Sequence, residues 1–357
     1  MLIMIMMGSL GKISSYRLLE RIAEGGMAEV FLAVSQGMGN VNKYVAIKRM
    51  LHRYHNNPDL CQMFKEEAHV VIQLRHPNIA AVYDFNEEDD LLYMVMEYVD
   101  GKPVSRFRLE LFQRKVDLPL PYALYIIREA AAGLSYAHRF RDIRSGQALN
   151  LVHRDLSPHN ILIGCSGDVK LIDFGVAKSD LSETHTSFGV IKGKLGYLSP
   201  EQALYQPITQ KTDLFALGII LWEILTNQRM FNLQSQETYF KQLRQFQMID
   251  PRPLNPKIDN ELYKIMERLL KLDPDERYES AESLHRDLNL YMNSQYPSMT
   301  MSEFAKFLSQ TLPEWQNFQS KYNDQTLSPE KTKLIDTTSG DRHILTIKRT
   351  IRVIQQN

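Results

Sequence analysis

His153-Arg154-Asp155-Leu156-Ser157-Pro158-His159-Asn160, followed by Leu171-Ile172-Asp173-Phe174-Gly175, is the stretch that decides the reading of this chain. Between the two runs, residues 160–174 read as a strand hairpin around Cys165-Ser166-Gly167, which folds the chain back on itself. The hairpin brings Asp155, Asn160 and Asp173 to one end. Three hard oxygen-bearing side chains in that arrangement suit Mg²⁺ and leave one carboxylate to serve as a general base. They do not suit zinc, which favours nitrogen and sulfur.

Outward from this stretch the chain divides in two. On its N-terminal side, residues 16–22 and 29–34 read as strands around the turn Gly25-Gly26, and 44–50 as a third strand. Residues 58–74 carry helical spacing, with Met63, Ala68, Val71 and Leu74 among the apolar positions, and His76-Pro77-Asn78 stops the helix. Residues 79–85 and 91–98 are two more strands, joined by Glu87-Glu88-Asp89-Asp90. On the C-terminal side the pattern is mostly helical, with long helices expected over 121–140, 213–226, 260–272 and 280–293. The fold class is therefore α+β in two lobes: an antiparallel sheet with one helix over 16–98, and a larger helical lobe over 99–293, joined near residues 97–101. Residues 1–15 read as a short apolar leader without the basic start or cleavage site of a signal peptide. Residues 294–318 offer one more helix, with Phe304, Phe307 and Leu308 on a face. Residues 319–357 read as a polar, flexible or partly ordered tail, in which 343–354 alternates like a strand and carries Lys348, Arg349 and Arg352.

Composition narrows the function. The 357 residues are 44% hydrophobic and 24% charged, enough to build a core and too apolar for wholesale disorder. Lys plus Arg number 42 and Asp plus Glu 42, and this zero balance speaks against a nucleic-acid partner. The longest apolar run, 214–225, is interrupted by Glu223 and falls well short of the roughly 20 residues a membrane span needs. Cys61 and Cys165 lie far apart and form no CxxC pair, which speaks against a disulfide framework and for a reducing, cytoplasmic setting.

Two weaker features sit in the first lobe. Ala23-Glu24-Gly25-Gly26-Met27-Ala28-Glu29-Val30 is a turn of small residues between strands, whose backbone N–H groups can approach a phosphate closely or simply close a tight hairpin. Val45-Ala46-Ile47-Lys48 ends an apolar strand on a lysine, and the following helix offers Glu66 and Glu67 as partners for it.

Together these motifs resemble the eukaryotic-type protein kinase catalytic domain over roughly residues 16–292, with the turn at 25–30 and Ser199-Pro200-Glu201-Gln202 most similar to bacterial serine/threonine kinases. The resemblance implies ATP and Mg²⁺ as cofactors and a protein substrate. It implies that Lys48 holds the α- and β-phosphates, that Glu67 pairs with Lys48, and that Asp155 takes or orients the proton of the substrate hydroxyl. Glu66 is one residue off that register, about 100° around the helix. Asn160 and Asp173 would hold Mg²⁺. Ile22, Ala23, Glu24, Gly25, Gly26, Met27 and Ala28 would cover the nucleotide, with Val30 and Ala46 on the adenine faces. Met96 would flank the base, and Glu97, Tyr98 and Val99 would offer it backbone hydrogen bonds. His153, Phe174, Gly175, Asp213, Glu201 and Arg277 take structural places, the last two as a pair. Arg154 would receive a phosphate from the activation loop, where Ser182, Thr184, Thr186 and Ser187 are the candidate acceptors.

The chain departs from the family at defined positions. Ala23 and Ala28 stand where the glycine loop has its first and third glycines, which strand-like φ/ψ permits. Ser157 stands where serine/threonine kinases carry a lysine, and Lys194 where they carry a threonine. The two side chains meet in the family, so the expectation is a swap: Lys194 reaches the γ-phosphate and Ser157 is its hydrogen-bond partner. Pro158 and the absence of a Trp before Ser199 point to serine or threonine as acceptor. The other readings are a nucleotide-binding pseudokinase scaffold and a small-molecule phosphotransferase of related fold, and the oligomeric state stays open.

Overall fold

Alternating apolar residues build the first sheet. Phe31 and Ala33, Val45 and Ile47, and Tyr93 and Val95 point to one face and cluster with Ile13 and Leu18, while Ala46, Met94 and Met96 point to the other and join the main core, as a period of two requires. The computed structural model describes residues 11–13, 15–36, 42–88, 91–175, 195–231, 235–244 and 246–317. In it the strands β1 (Gly11–Ile13), β2 (Tyr16–Glu24), β3 (Ala28–Gln36), β4 (Asn42–Met50), β5 (Val82–Glu88) and β6 (Leu91–Glu97) form an antiparallel sheet in the order β1-β2-β3-β4-β6-β5. Helix α1 (Pro58–Val71) packs on it. Asn57 starts α1 by accepting from the Leu60 N–H, with proline in the first turn.

Within the expected 1–15 leader, Gly11–Ile13 form strand β1. Gly11, Lys12 and Ile13 pair with Leu18, Arg17 and Tyr16, and burial of Ile13 among Leu18, Phe31 and Val45 holds the added edge in place.

The second lobe is built around α5 (Lys211–Thr226), which is buried on every side and therefore shows little amphipathic pattern. Around it lie α2 (Val104–Arg114), α3 (Leu120–His138), α4 (Pro200–Ala203), α6 (Gln236–Arg244), α7 (Asn260–Leu269), α8 (Ala281–Gln295) and α9 (Met301–Thr311). Helix α2 is absent from the sequence expectation. It begins after Pro103 without a side-chain cap and is dense in arginine, yet Val104, Phe107 and Leu111 bury one face. The expected hairpin is β8 (Ile161–Gly164) with β9 (Val169–Leu171), and β7 (Gly101–Pro103) adds a third strand that leads straight out of the inter-lobe segment.

Helix α9, capped by Thr300, lies over the β8–β9 turn and the starts of α2 and α3. Gly167 has φ +85°, and a Cβ there would meet the Met301 carbonyl oxygen at 2.4 Å, so glycine is needed for both the turn and the approach. Phe304 and Phe307 stack on Tyr122. Beyond α9, the Trp315 indole packs on Phe107 and donates to Glu110 Oε2 at 2.6 Å, and the Cys165 thiol donates to the Trp315 carbonyl at 3.0 Å. No helix among the described residues is long and apolar enough to cross a membrane.

Candidate active site

The site is assembled where β4, α1 and the loops flanking the β8–β9 hairpin meet. Lys48, near the end of β4, donates from Nζ to Glu67 Oε1 at 2.7 Å and to Asp173 Oδ1 at 2.9 Å. Burial works against its charge, but Asp173 and Glu67 outweigh that and hold its pKa above the ordinary lysine value. Glu66 is instead exposed and accepts from Gln62. With Val71, Met94 and Phe174, these three charged groups line a small cavity of ≈ 20 Å³, room for about one water.

Below them the chain from His153 to Asn160 is fixed by its own backbone. Asp213, buried in the first turn of α5, accepts from the N–H of His153 at 2.8 Å and of Arg154 at 3.0 Å, and its Oδ2 also meets His138 Nε2 at 2.8 Å. The N–H of Asp155 and of Gly175 both reach the His153 carbonyl. The His153 ring donates from Nε2 to the Ile172 carbonyl at 3.0 Å and packs at a tilt against Phe174 with centroids 4.7 Å apart. Burial lowers its pKa, which keeps the ring neutral. Asn160 donates from Nδ2 to the Asp155 carbonyl at 2.8 Å and to Asp155 Oδ2 at 3.2 Å. Its Oδ1 and the Asp173 carboxylate are the hard oxygens that suit Mg²⁺. Arg154 and Asp173 both take the left-handed conformation, with φ of 61° and 56°. That is costly for a residue with a Cβ and is held here by the surrounding bonds.

The upper wall of the cleft is the β2–β3 turn. The Gly25 N–H meets the Ala28 carbonyl at 2.7 Å and closes it. Ile22, Ala23, Glu24, Gly25 and Gly26 are exposed, Met27 and Val30 half-buried and Ala28 buried. Neither Ala23 nor Ala28 has positive φ, so the two alanines carry no backbone strain. The base-flanking positions are adjacent as well: Ala46 pairs with Met96 across β4 and β6, and Met96 and Val99 are buried. The N–H of Glu97 is committed to the Ala81 carbonyl at 2.7 Å, and its carboxylate to Lys170 and the Ala81 N–H, so Glu97 has no N–H left for a base.

Glu201 and Arg277 form a fully buried bidentate pair at 2.8 and 2.9 Å, with Thr212 donating to the same carboxylate. Burial opposes the charge of Glu201, but Arg277 and Thr212 prevail and lower its pKa. Gln202 donates to the Arg154 carbonyl and so ties this segment to the lower loop. The Ser157 hydroxyl is buried and has no hydrogen-bond partner among the described residues. Lys194, Ser182, Thr184, Thr186 and Ser187 lie outside the described residues.

Two groups escaped the sequence reading. His138 is seen only once α3 is laid against α5. Glu223, a lone acid inside an apolar run, is the hub of a buried cluster: Arg108, Tyr197 and Arg229 all donate to its Oε2. The signal was the interruption itself, since an unpaired carboxylate is not tolerated inside a core helix.

A family model described as the protein kinase domain matches residues 16–288. The tyrosine-protein kinase MasK of Myxococcus xanthus is 34% identical over 325 residues, 91% of this chain and 49% of that protein. The serine/threonine-protein kinase PrkC of Bacillus subtilis is 35% identical over 273 residues, 76% of this chain and 40% of that protein. This chain thus spans less than half the length of either. Among solved structures, the PknI kinase domain of Mycobacterium tuberculosis superposes with a TM-score of 0.58 at 23% identity, over 78% of this chain and 97% of that one, a likeness that bears on the fold.

Proposed function

The chain belongs to the protein kinase family, and on that premise we propose that it transfers the γ-phosphoryl group of ATP to serine or threonine hydroxyls of protein substrates. The observation that carries this reading is the assembled set Lys48–Glu67–Asp173 facing Asp155–Asn160. Lys48 is bonded to both Glu67 and Asp173, and the Asp155 carboxylate accepts from Asn160, which supports the reading.

Lys48, held charged and pointed by Glu67, clamps the α- and β-phosphates. Asn160 and Asp173 would hold Mg²⁺, whose chemistry would be to offset charge developing on the phosphate oxygens. Asp155, its carboxylate steadied by Asn160, orients the substrate hydroxyl and accepts its proton as the oxygen bonds to the γ-phosphorus and the β–γ bridging bond breaks to release ADP. The Met96 and Val99 side chains, with Val30 and Ala46, form the apolar slot for the base, and the Val99 N–H serves it. Residues 182–187 supply the sites of autophosphorylation, and Arg154 receives the phosphate.

Lys194 supplies the cation that Ser157 does not. The buried Ser157 hydroxyl, without a partner among the described residues, supports this, because an orphan donor in a core costs about 1–3 kcal/mol and calls for a partner. A cation about 4 Å from the transferring charge is worth roughly 4 kcal/mol at an effective dielectric near 20, before desolvation. Lys194→Ala is expected to lower kcat by about 10- to 100-fold, and an unchanged kcat would discard the swap.

The test of the main reading is incubation of the purified protein and its Asp155→Asn variant with ATP and Mg²⁺, read by intact mass, peptide mapping and phosphoamino-acid analysis. Phosphoserine or phosphothreonine in the unmodified protein alone is the expected result. Phosphotyrosine would move the acceptor class toward that named for the Myxococcus relative. ATP binding without phosphate in either protein would favour the scaffold reading.

A further inference from the structure

Glu223, on α5, has a carboxylate only 3% exposed. Its Oε2 accepts from Arg108 Nη1 at 2.8 Å, from the Tyr197 hydroxyl at 2.8 Å and from Arg229 Nη1 at 3.2 Å, and its Oε1 accepts from the Met230 N–H at 3.3 Å. Arg229 also donates to the Tyr197 hydroxyl. Two guanidinium groups therefore surround one carboxylate, and the cluster keeps a positive charge. The surplus faces outward: Arg108 is 15% exposed and spends its Nη2 on the carbonyls of Glu223 and Gln228, whereas the Arg229 side chain is 53% exposed and, among the described residues, hydrogen-bonds only through Nη1.

The place matters as much as the charge. Tyr197 belongs to the 195–199 segment, which Gln202 ties to the Arg154 carbonyl, one residue from Asp155. Arg108 belongs to α2, whose start is tied to the same loop by the Ser105 N–H on the Pro158 carbonyl at 2.9 Å. The cluster thus joins two elements that are each bonded to the catalytic loop, at the Arg154 and the Pro158 carbonyls. A protein chain offering a hydroxyl to Asp155 comes close to both elements. Its neighbours within three or four positions reach roughly 10–14 Å.

We propose that Arg229 is a specificity-determining residue that selects acceptor sequences with an acidic side chain close to the phosphorylated hydroxyl. Resting on the kinase reading above, this names the substrate class. Glu223 is saturated and buried, so it cannot attract a basic residue. A lysine or arginine in the substrate would instead face Arg229 unpaired. An aspartate or glutamate would complete the fork of Arg229 with the second bond its geometry offers.

The test is kcat/KM on one acceptor peptide in which each of four positions on either side of the hydroxyl is set in turn to Glu, Ala or Lys. The unmodified protein is expected to rank Glu over Ala over Lys at one or two positions, by roughly three- to tenfold as befits a half-exposed ion pair. Arg229→Glu should invert that ranking, and Arg229→Lys should keep its direction. Thermal melting of each variant separates a lost preference from a lost fold, and the ranking is a ratio within one protein, so a slower variant still reports it. Indifference to peptide charge in the unmodified protein, or the same ranking in Arg229→Glu, overturns the proposal while leaving phosphate transfer intact. No transfer to any peptide, alanine series included, would overturn the kinase reading and this one with it.

Discussion

The lower wall of the cleft hangs on one buried carboxylate, whereas the upper wall is fastened by half-buried or exposed arginine contacts. Asp213 takes two backbone N–H groups of the 153–160 loop and a histidine ring, all out of contact with water. The β2–β3 turn is steadied by Arg21 on Glu24, by Arg49 on Glu29 and by the Arg53 guanidinium on the Gly26 carbonyl. Surface pairs of that kind are worth about 0–1 kcal/mol each and yield to salt. A buried carboxylate with three donors is not replaceable, because each donor left alone costs about 1–3 kcal/mol. The difference separates two tasks. On the proposed mechanism, the loop that handles the proton would have to hold its geometry through every turnover, and the turn that covers the nucleotide would have to let it in and out.

The contrast can be broken most directly at Asp213. Asp213→Ala orphans three buried donors and is expected to cost about 3 kcal/mol or more, a fall in melting temperature on the order of 10 °C, with phosphate transfer lost before the fold is. A melt within 2 °C of the unmodified protein would show that the lower wall does not depend on this residue. Glu201→Gln is the next largest change. Breaking a buried pair costs about 3–5 kcal/mol, and here it also removes a pH dependence. The folded-state pKa of Glu201 is depressed, so its contribution is complete above the ordinary glutamate value near 4.5 and is lost as pH falls through the lower folded value. Denaturant titrations between pH 3 and 6 should show a flatter acid limb in the variant. The smallest effects belong to the upper wall. Arg49→Ala should shift stability by less than about 1 kcal/mol, and Ala23→Gly by about 0.5–1 kcal/mol, each with a change of only a few-fold in KM for ATP. A collapse of activity in either would erase the distinction between the walls.

What was legible in the sequence follows the same division. The lower wall is written in residue types that chemistry cannot exchange, so His153 to Asn160 and Asp173 to Gly175 stand out by identity and spacing. The residues alone left Glu66 and Glu67 both open as partners of Lys48; the family resemblance chose Glu67, and Glu66 sits about 100° away around the helix. Helix α2 was not legible, since arginines dilute its apolar stripe and no capping side chain marks its start. Strand β1 was hidden because its three residues acquire meaning only through pairing with β2. The commitment of the Glu97 N–H to Ala81, and the gathering of Arg108, Tyr197 and Arg229 on Glu223, are long-range facts of packing that no local pattern encodes.

The α9 segment carries a consequence for anyone cutting this protein into pieces. The family match stops at residue 288, yet Phe304, Leu308, Leu312 and Trp315 are all buried against the lobe beyond that point. At about 1.5–3 kcal/mol for each large apolar side chain taken out of water, their removal would forfeit more than a marginal fold can spare. It would also lay bare Phe107 and Tyr122 as a greasy scar beside α2. An expression clone trimmed to the recognised boundary should therefore precipitate or purify with chaperones, while one carried through residue 317 should stay in solution.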